Sequence, residues 1–177
     1  MKLTRLSNFD GEAVLSLADA KAHLRVLHAE EDALIGALRD AAVQYVERAS
    51  GVVLAPAEFR WEAASFERAS CIPVHPVTEL LSVKYVDRAG DSMDYEEAEI
   101  VMERLSPAPG TVWPLSGRVA VEFVAGDDIV VPDLQAAVKL MLAHLFENRS
   151  AVTTGPSPTE LPLAVNALIQ LHRRIVI

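Results

Sequence analysis

The sequence predicts an α+β fold, mainly α, in which a small bundle of about four helices is interrupted by a β-rich insertion. Three observations carry this reading. Apolar residues recur with helical spacing near the two ends of the chain, prolines at 56, 73, 76, 107, 109 and 114 break up the middle, and the middle holds runs that alternate with period two. The predicted helices lie at about 16–27, 30–50, 132–148 and 162–174, and the β-rich insertion at about 52–126. With 177 residues, and roughly 150 residues per domain, all of this belongs to a single domain, 1–177.

The first helix starts at Ser16-Leu17-Ala18-Asp19, where a serine and a carboxylate three residues on can cap one another's backbone N–H groups. In the second, Glu30, Glu31 and Asp32 put negative charge at the positive end of the helix dipole, and Gly51 stands where a left-handed cap is needed. Between them Ala33, Leu34, Ala37, Leu38, Ala41, Ala42, Tyr45, Val46 and Ala49 mark one apolar face, whose alanines suit close approach of a neighbouring helix. Strands are expected at Glu58–Ser65, Leu80–Val86 and Arg118–Val124, the last alternating Val119, Val121 and Phe123 with polar or small residues. Asp87-Arg88-Ala89-Gly90-Asp91 carries turn chemistry, so Leu80–Val86 and a short strand near Ser92–Tyr95 form a hairpin. Pro132 suits the first position of the third helix, whose residues 134–146 are apolar nearly all round, as in a helix central to a bundle or covered by a partner chain. A loop follows at 149–160, and Pro162 opens the last helix, with Leu163, Ala167, Leu168 and Leu171 on or near one face.

Composition narrows the function. With 51% hydrophobic and 23% charged residues, the chain can bury a core. Its formal charge of −9 opposes phosphate-driven binding of nucleic acid over the whole surface. Cys71 stands alone, which excludes an intramolecular disulfide and a multi-thiolate metal site. No apolar run approaches the roughly 18 residues of a membrane span, and Met1–Asp10 has no apolar signal region, so the expected location is the cytosol unless the protein leaves by lysis or inside a particle.

The sequence carries neither the Gly-rich phosphate loops nor the H-E-x-x-H and G-x-S-x-G signatures. The nearest approach to a catalytic site is His144 with Glu147, three apart on one helix face, which could share a metal or a water. Two ligands without a third make neither a zinc site nor a triad, so no catalytic residue, no metal ligand and no cofactor is assigned. A DNA-binding regulator built on 16–50 is the other alternative, weakened because Glu30, Glu31, Asp32, Asp40 and Glu47 outnumber Arg39 and Arg48 there. Asp87, Asp91, Asp94, Glu96, Glu97, Glu99 and Glu103 lack the spacing of a calcium loop and form an acidic face open to a basic partner. Trp113, between Val112 and Pro114 in a loop, is a candidate interface anchor. Arg173-Arg174-Ile175-Val176-Ile177 either folds back on the bundle or acts as a plug for a groove in another protein, and composition leaves both open.

Taken in order, "SLADAKAHLRV" with "EEDALIGALRDAAVQYVERASG" (Ser16 to Gly51), "PV" and "LLSVKYVDRAG" (Pro76 to Gly90), "VPDLQAAVKLMLAHLFENR" (Val131 to Arg149) and "LPLAVNALIQLHRR" resemble the head-tail connector, or adaptor, proteins of long-tailed phages, prophages and gene transfer agents. The resemblance spans nearly the whole chain and rests on apolar pattern. It implies a non-enzymatic structural subunit of a virion or phage-like particle, assembled in the host cytoplasm as a homo-oligomeric ring of about twelve copies beneath the portal protein. Such a ring extends the DNA channel, lets DNA through its lumen without specific binding, involves no membrane, and meets a stopper or tail-completion protein. By the same analogy Arg173, Arg174, Ile175, Val176 and Ile177 are candidate portal contacts. Ala37, Ala41, Tyr45, Trp113, Leu140 and Phe146 are candidate inter-subunit contacts, and Asp91, Asp94, Glu96, Glu97 and Glu99 a candidate tail-side or lateral face.

Overall fold

The computed structural model describes residues 1–148 and 163–173. Among the described residues helix accounts for 35% and strand for 26%, so the fold is a mixed α+β arrangement. Two compact units emerge. The β unit comprises residues 1–9 and 56–128; the helical unit comprises 10–55 and, among the described residues, 129–148 and 163–173.

In the β unit, strands β1 (Lys2–Arg5), β2 (Ala57–Ala63), β3 (Val77–Val86), β4 (Ser92–Asp94) and, after a separate β5 (Ala98–Val101) and β6 (Arg104–Pro107), β7 (Val119–Ala125) alternate with one short helix, α3 (Phe66–Ala69), labelled here in the chain order of the whole protein. Five of the strands form an antiparallel sheet in the order β1-β2-β7-β3-β4, and β5 pairs with β6. Period two dictates the core. On β2 Ala57, Phe59, Trp61 and Ala63 are buried, and on β7 Val119, Val121, Phe123 and Ala125, while Glu58, Arg60 and Glu122 face the other way. The register puts Phe59 opposite Phe123, and their rings stack with centroids 5.8 Å apart. β3 and β4 form the hairpin expected from the Asp87–Asp91 turn, where Asp87 Oδ1 accepts the N–H groups of Ala89 and Asp91.

β1 was outside the expected insertion. Its four residues, KLTR, are too short for periodicity to register, yet Leu3 falls opposite Trp61 and Arg5 opposite Phe59, with the Arg5 guanidinium 5.1 Å from the Phe59 ring centroid. The β5–β6 hairpin was also missed, because its two-residue turn uses Met102 and Glu103 at φ 49° and 60° in place of the Asn-Gly that announces such a turn.

The helical unit contains α1 (Leu17–Leu24), α2 (Asp32–Ser50), α4 (Pro132–Glu147) and α5 (Leu163–Gln170). The Ser16 hydroxyl accepts the Asp19 N–H at 3.1 Å and donates to Asp19 Oδ2 at 2.7 Å, so α1 opens as its sequence dictates. Gly51 adopts φ 79° and its N–H closes on Glu47 O at 2.9 Å, ending α2. The face of α2 that the helical unit buries differs from the alanine-rich stripe. The residues buried are Ile35, Arg39, Ala42, Val43, Val46 and Ser50, which share only Ala42 and Val46 with the alanine-rich stripe. Apolar residues occupy more than half of the helix circumference, and the core takes the side where the larger Ile35 and Val43 bury more area per position. On α4 the buried residues are Leu134, Ala137, Val138, Met141 and Leu142, whereas Ala136 and Leu140 are exposed. Residues 149–162 and 174–177, which include the expected 149–160 loop and most of the apolar tip, lie outside the described residues.

Candidate functional site

The residues singled out from sequence gather in two places. On α2, Ala33, Ala37 and Ala41 follow one another at one helical turn and are exposed, with Leu34 38% accessible beside them. Farther along, Ala41, Gln44, Tyr45, Arg48 and Ala49 line a shallow groove, with Tyr45 half-buried. From Ala33 to Ala49 this is a largely apolar helix face about 24 Å long that the helical unit does not consume. Leu140 on α4 is likewise exposed, and Phe146 is half-buried near the end of that helix.

The face is held rigid from beneath by a polar clamp. Arg39 is buried, and its guanidinium donates to Glu12 Oε2, to Asp40 Oδ1 at 2.9 Å and towards Leu15 O at 3.5 Å. Glu12 Oε1 in turn accepts the Leu17 N–H at 3.1 Å, and Asp10 Oδ1 accepts the Glu12 N–H. The 10–16 segment is thereby tied both to α2 and to the start of α1, and Gln135 of α4 donates to Val14 O at 3.2 Å. Gly11 leaves room for this network: a Cβ would lie 2.2 Å from Asp40 Oδ1, so that carboxylate would have to shift. From the sequence Arg39 was counted only as a cation set against the acids of 16–50; the structure puts it at a buried position of α2.

In the β unit the second cluster forms around α3. The Phe66 ring stacks on Trp113 at 4.5 Å and 7° and packs against Tyr85 and Tyr95, with centroids 5.6 and 5.5 Å away. Trp113 therefore pins its own loop, and the exposed apolar groups of that loop are Val112 and Leu115, 83% and 72% accessible. Asp91, Asp94, Glu96, Glu97 and Glu99 are all exposed along β4 and β5. On the outer face of the sheet Glu122 accepts from Arg60 at 2.5 and 2.9 Å and from Ser82 at 3.2 Å; the Arg60 hydrogen bonds hold its carboxyl below the ordinary carboxylate range against a smaller opposing effect of burial.

The structure brings no third candidate ligand to the His144 and Glu147 pair among the described residues. His144 Nδ1 faces Asn148 Nδ2 at 3.4 Å, Glu147 is exposed, and among the described residues no group of three His, Cys, Asp or Glu side chains could hold a metal. Arg173 is exposed beyond the end of α5, next to His172, whose Nε2 lies 3.2 Å from Asp133 Oδ2. Arg174, Ile175, Val176 and Ile177 lie outside the described residues.

Known structures share this arrangement along its full length. A chain in the virion of a native gene transfer agent (GTA) particle matches with a TM-score of 0.79 at 26% identity, covering 100% of this chain and 97% of that one. A chain in the neck of an empty GTA particle, computed with C6 symmetry, matches with 0.78 at 25%, and one in the neck of a native GTA particle, computed with C12 symmetry, with 0.76 at 25%, both with the same coverage. No protein-family model and no curated protein matches the sequence. The resemblance to head-tail connector proteins is borne out by these neighbours, which are components of phage-like particles and of their necks.

Proposed function

We propose that this chain is a structural subunit of a phage-like particle, a head-tail connector that forms a ring beneath the portal, extends the DNA channel and joins capsid to tail. The observation that carries the reading is the full-length likeness to chains of GTA necks computed with C6 and C12 symmetry. A cyclic ring needs two different surfaces on each copy, one meeting the other on the next copy. The exposed α2 face with Ala37, Ala41 and Tyr45, together with Leu140 on α4, supplies apolar surface beyond the needs of the helical unit, as such a contact requires. The C12 symmetry of that neck supports self-association into about twelve copies. The portal and a stopper or tail-completion protein are the neighbours above and below.

No step of this function is catalytic. The acidic charge of −9 suits a channel through which DNA slides by repulsion, without specific binding. Among the described residues no helix is long and apolar enough to cross a membrane. The site of action is the head-tail interface, reached by assembly in the host cytoplasm.

Electron microscopy of particles from a producing strain, with a tag on this chain, tests the reading. Tag density as a ring between portal and tail is expected; particles with complete necks that lack the chain overturn it. Ala37→Arg with Ala41→Arg should give tailless or neckless particles while the purified variant keeps its helical circular dichroism.

A further inference from the structure

The helical unit carries a second apolar surface, at the other end of α2 from the groove of Tyr45. Leu27, in the connection between α1 and α2, is 98% accessible, and Leu17, Ala18, Ala22 and Val26 continue its apolar surface along α1. The polar residues of that surface, Lys21 and Asp32, pair with each other at 2.5 Å. The connection is held at both ends. The N–H groups of Arg25 and Val26 close α1 on Ala22 O and Lys21 O, with Arg25 in the left-handed conformation at φ 58°, and the Asp32 N–H bonds Ala29 O as α2 begins. Leu27 is thus presented on a backbone that is already ordered, so docking it costs little further entropy.

The two surfaces differ in position, shape and charge. From Asp32 to Arg48 is about 24 Å along the axis of α2 and about 160° around it, so the Leu27 ridge and the Tyr45 groove lie at opposite ends and on different flanks of one helix. One is convex, and in the other Ala41 and Ala49, a turn to either side of Tyr45, leave a hollow beside the ring. Glu30 and Glu31 outnumber Arg25 next to Leu27, with the Glu30 side chain 89% accessible, whereas the charge lining the groove is that of the exposed Arg48. We propose that the Leu27 ridge of one copy docks into the Tyr45 groove of a second copy, with Glu30 against Arg48. The inference rests on the ring reading and deepens it. A two-fold pair would set each surface against itself, whereas two unlike surfaces on different flanks carry the contact from copy to copy.

Particles from a producing strain test it with the full chain. Leu27 is too accessible for its replacement to unfold the protein, so Leu27→Asp should leave the circular dichroism unchanged and lower the amount of chain in particles about tenfold, while Leu27→Met keeps it. E30R should lower it about threefold, and R48E in the same chain should restore it. For the contact itself, a Cys71→Ser chain carrying Leu27→Cys and Ala41→Cys, treated in particles with a short bis-maleimide, should give a ladder of covalent multimers, and neither single-cysteine chain should give dimers. Val26→Cys in place of Leu27→Cys gives a second probe on the same ridge and should give the same ladder. Full incorporation of Leu27→Asp, absence of the ladder from both probes, or dimers of a single-cysteine chain, which would mean a surface meeting itself, overturns the proposal. Microscopy of the same particles separates the two readings: a ring at the neck without the ladder sinks only this inference, whereas the ladder from necks without a ring of this chain sinks the ring and leaves the docking contact standing.

Discussion

Each unit fixes a long irregular segment, and each uses different physics. In the helical unit, 10–16 is held by charge and hydrogen bonds: one buried guanidinium serves Glu12, Asp40 and the Leu15 carbonyl. In the β unit, the loop around Trp113 is held by stacked rings on Phe66, and its side-chain hydrogen bonds are those of the neutral Thr111 hydroxyl, which donates to Ala108 O at 2.7 Å and lies 3.4 Å from the Tyr95 hydroxyl. The difference teaches where each unit can tolerate change. A clamp of fixed donors fails sterically and with charge, whereas an aromatic stack fails with lost volume and area.

The largest expected effect is therefore on the aromatic side. Phe66→Ala removes a ring that is 2% exposed and touches three other rings, and should lower stability by about 4 kcal/mol in urea unfolding. A loss below about 1 kcal/mol would mean that the loop does not depend on the stack. Next comes Arg39→Met, which keeps the buried stem and deletes the donors. Because Glu12 and Asp40 are partly solvated, the loss should be about 2 kcal/mol, short of what a fully buried broken pair costs. Gly11→Ala should cost about 1 kcal/mol, since the new Cβ displaces Asp40 Oδ1 from its bond to Arg39. Asp40→Ala tests that cause directly: in its background the Gly11→Ala penalty should nearly vanish, and a penalty that persists would put the strain in the backbone instead.

Legibility in sequence follows the same division. β2 and β7 could be read because alternate residues are buried all along them, and α1 and the end of α2 because Ser16 and Gly51 carry their own capping chemistry. β1 could not, since four residues gain meaning only from Trp61 and Phe59 opposite them, more than fifty positions away. The buried side of α2 was not legible because alanines and larger aliphatics are interleaved around it, and pattern alone does not say which side the other helices occupy. The exposed Ala37 and Ala41 were singled out for close helix packing and sit where another chain can reach them. The Arg39 clamp escaped notice because its partners Glu12 and Asp40 are distant or adjacent in sequence at no diagnostic spacing.

The smallest effect concerns the outer face of the sheet, where charge acts without burial. Glu122 lies directly opposite Arg60 on β2 and Ser82 on β3, and its pKa is lowered from 4.5 chiefly by the Arg60 hydrogen bonds. A carboxyl whose folded-state pKa lies below its unfolded value favours the folded state once it is ionised in both. That contribution is fully present above pH 4.5 and fades as the pH falls through the lower folded-state value. Glu122→Gln should thus weaken the protein slightly at neutral pH, by less than about 1 kcal/mol for so accessible a pair, and should not weaken it at pH 2–3, where the wild-type carboxyl also becomes neutral. Urea unfolding at the two pH values, repeated in about 1 M salt, checks both the sign and the exposure: the neutral-pH difference should shrink in salt. A difference that grows towards acid pH would show that Glu122 is neutral in the folded protein and that Ser82, not Arg60, is its principal partner.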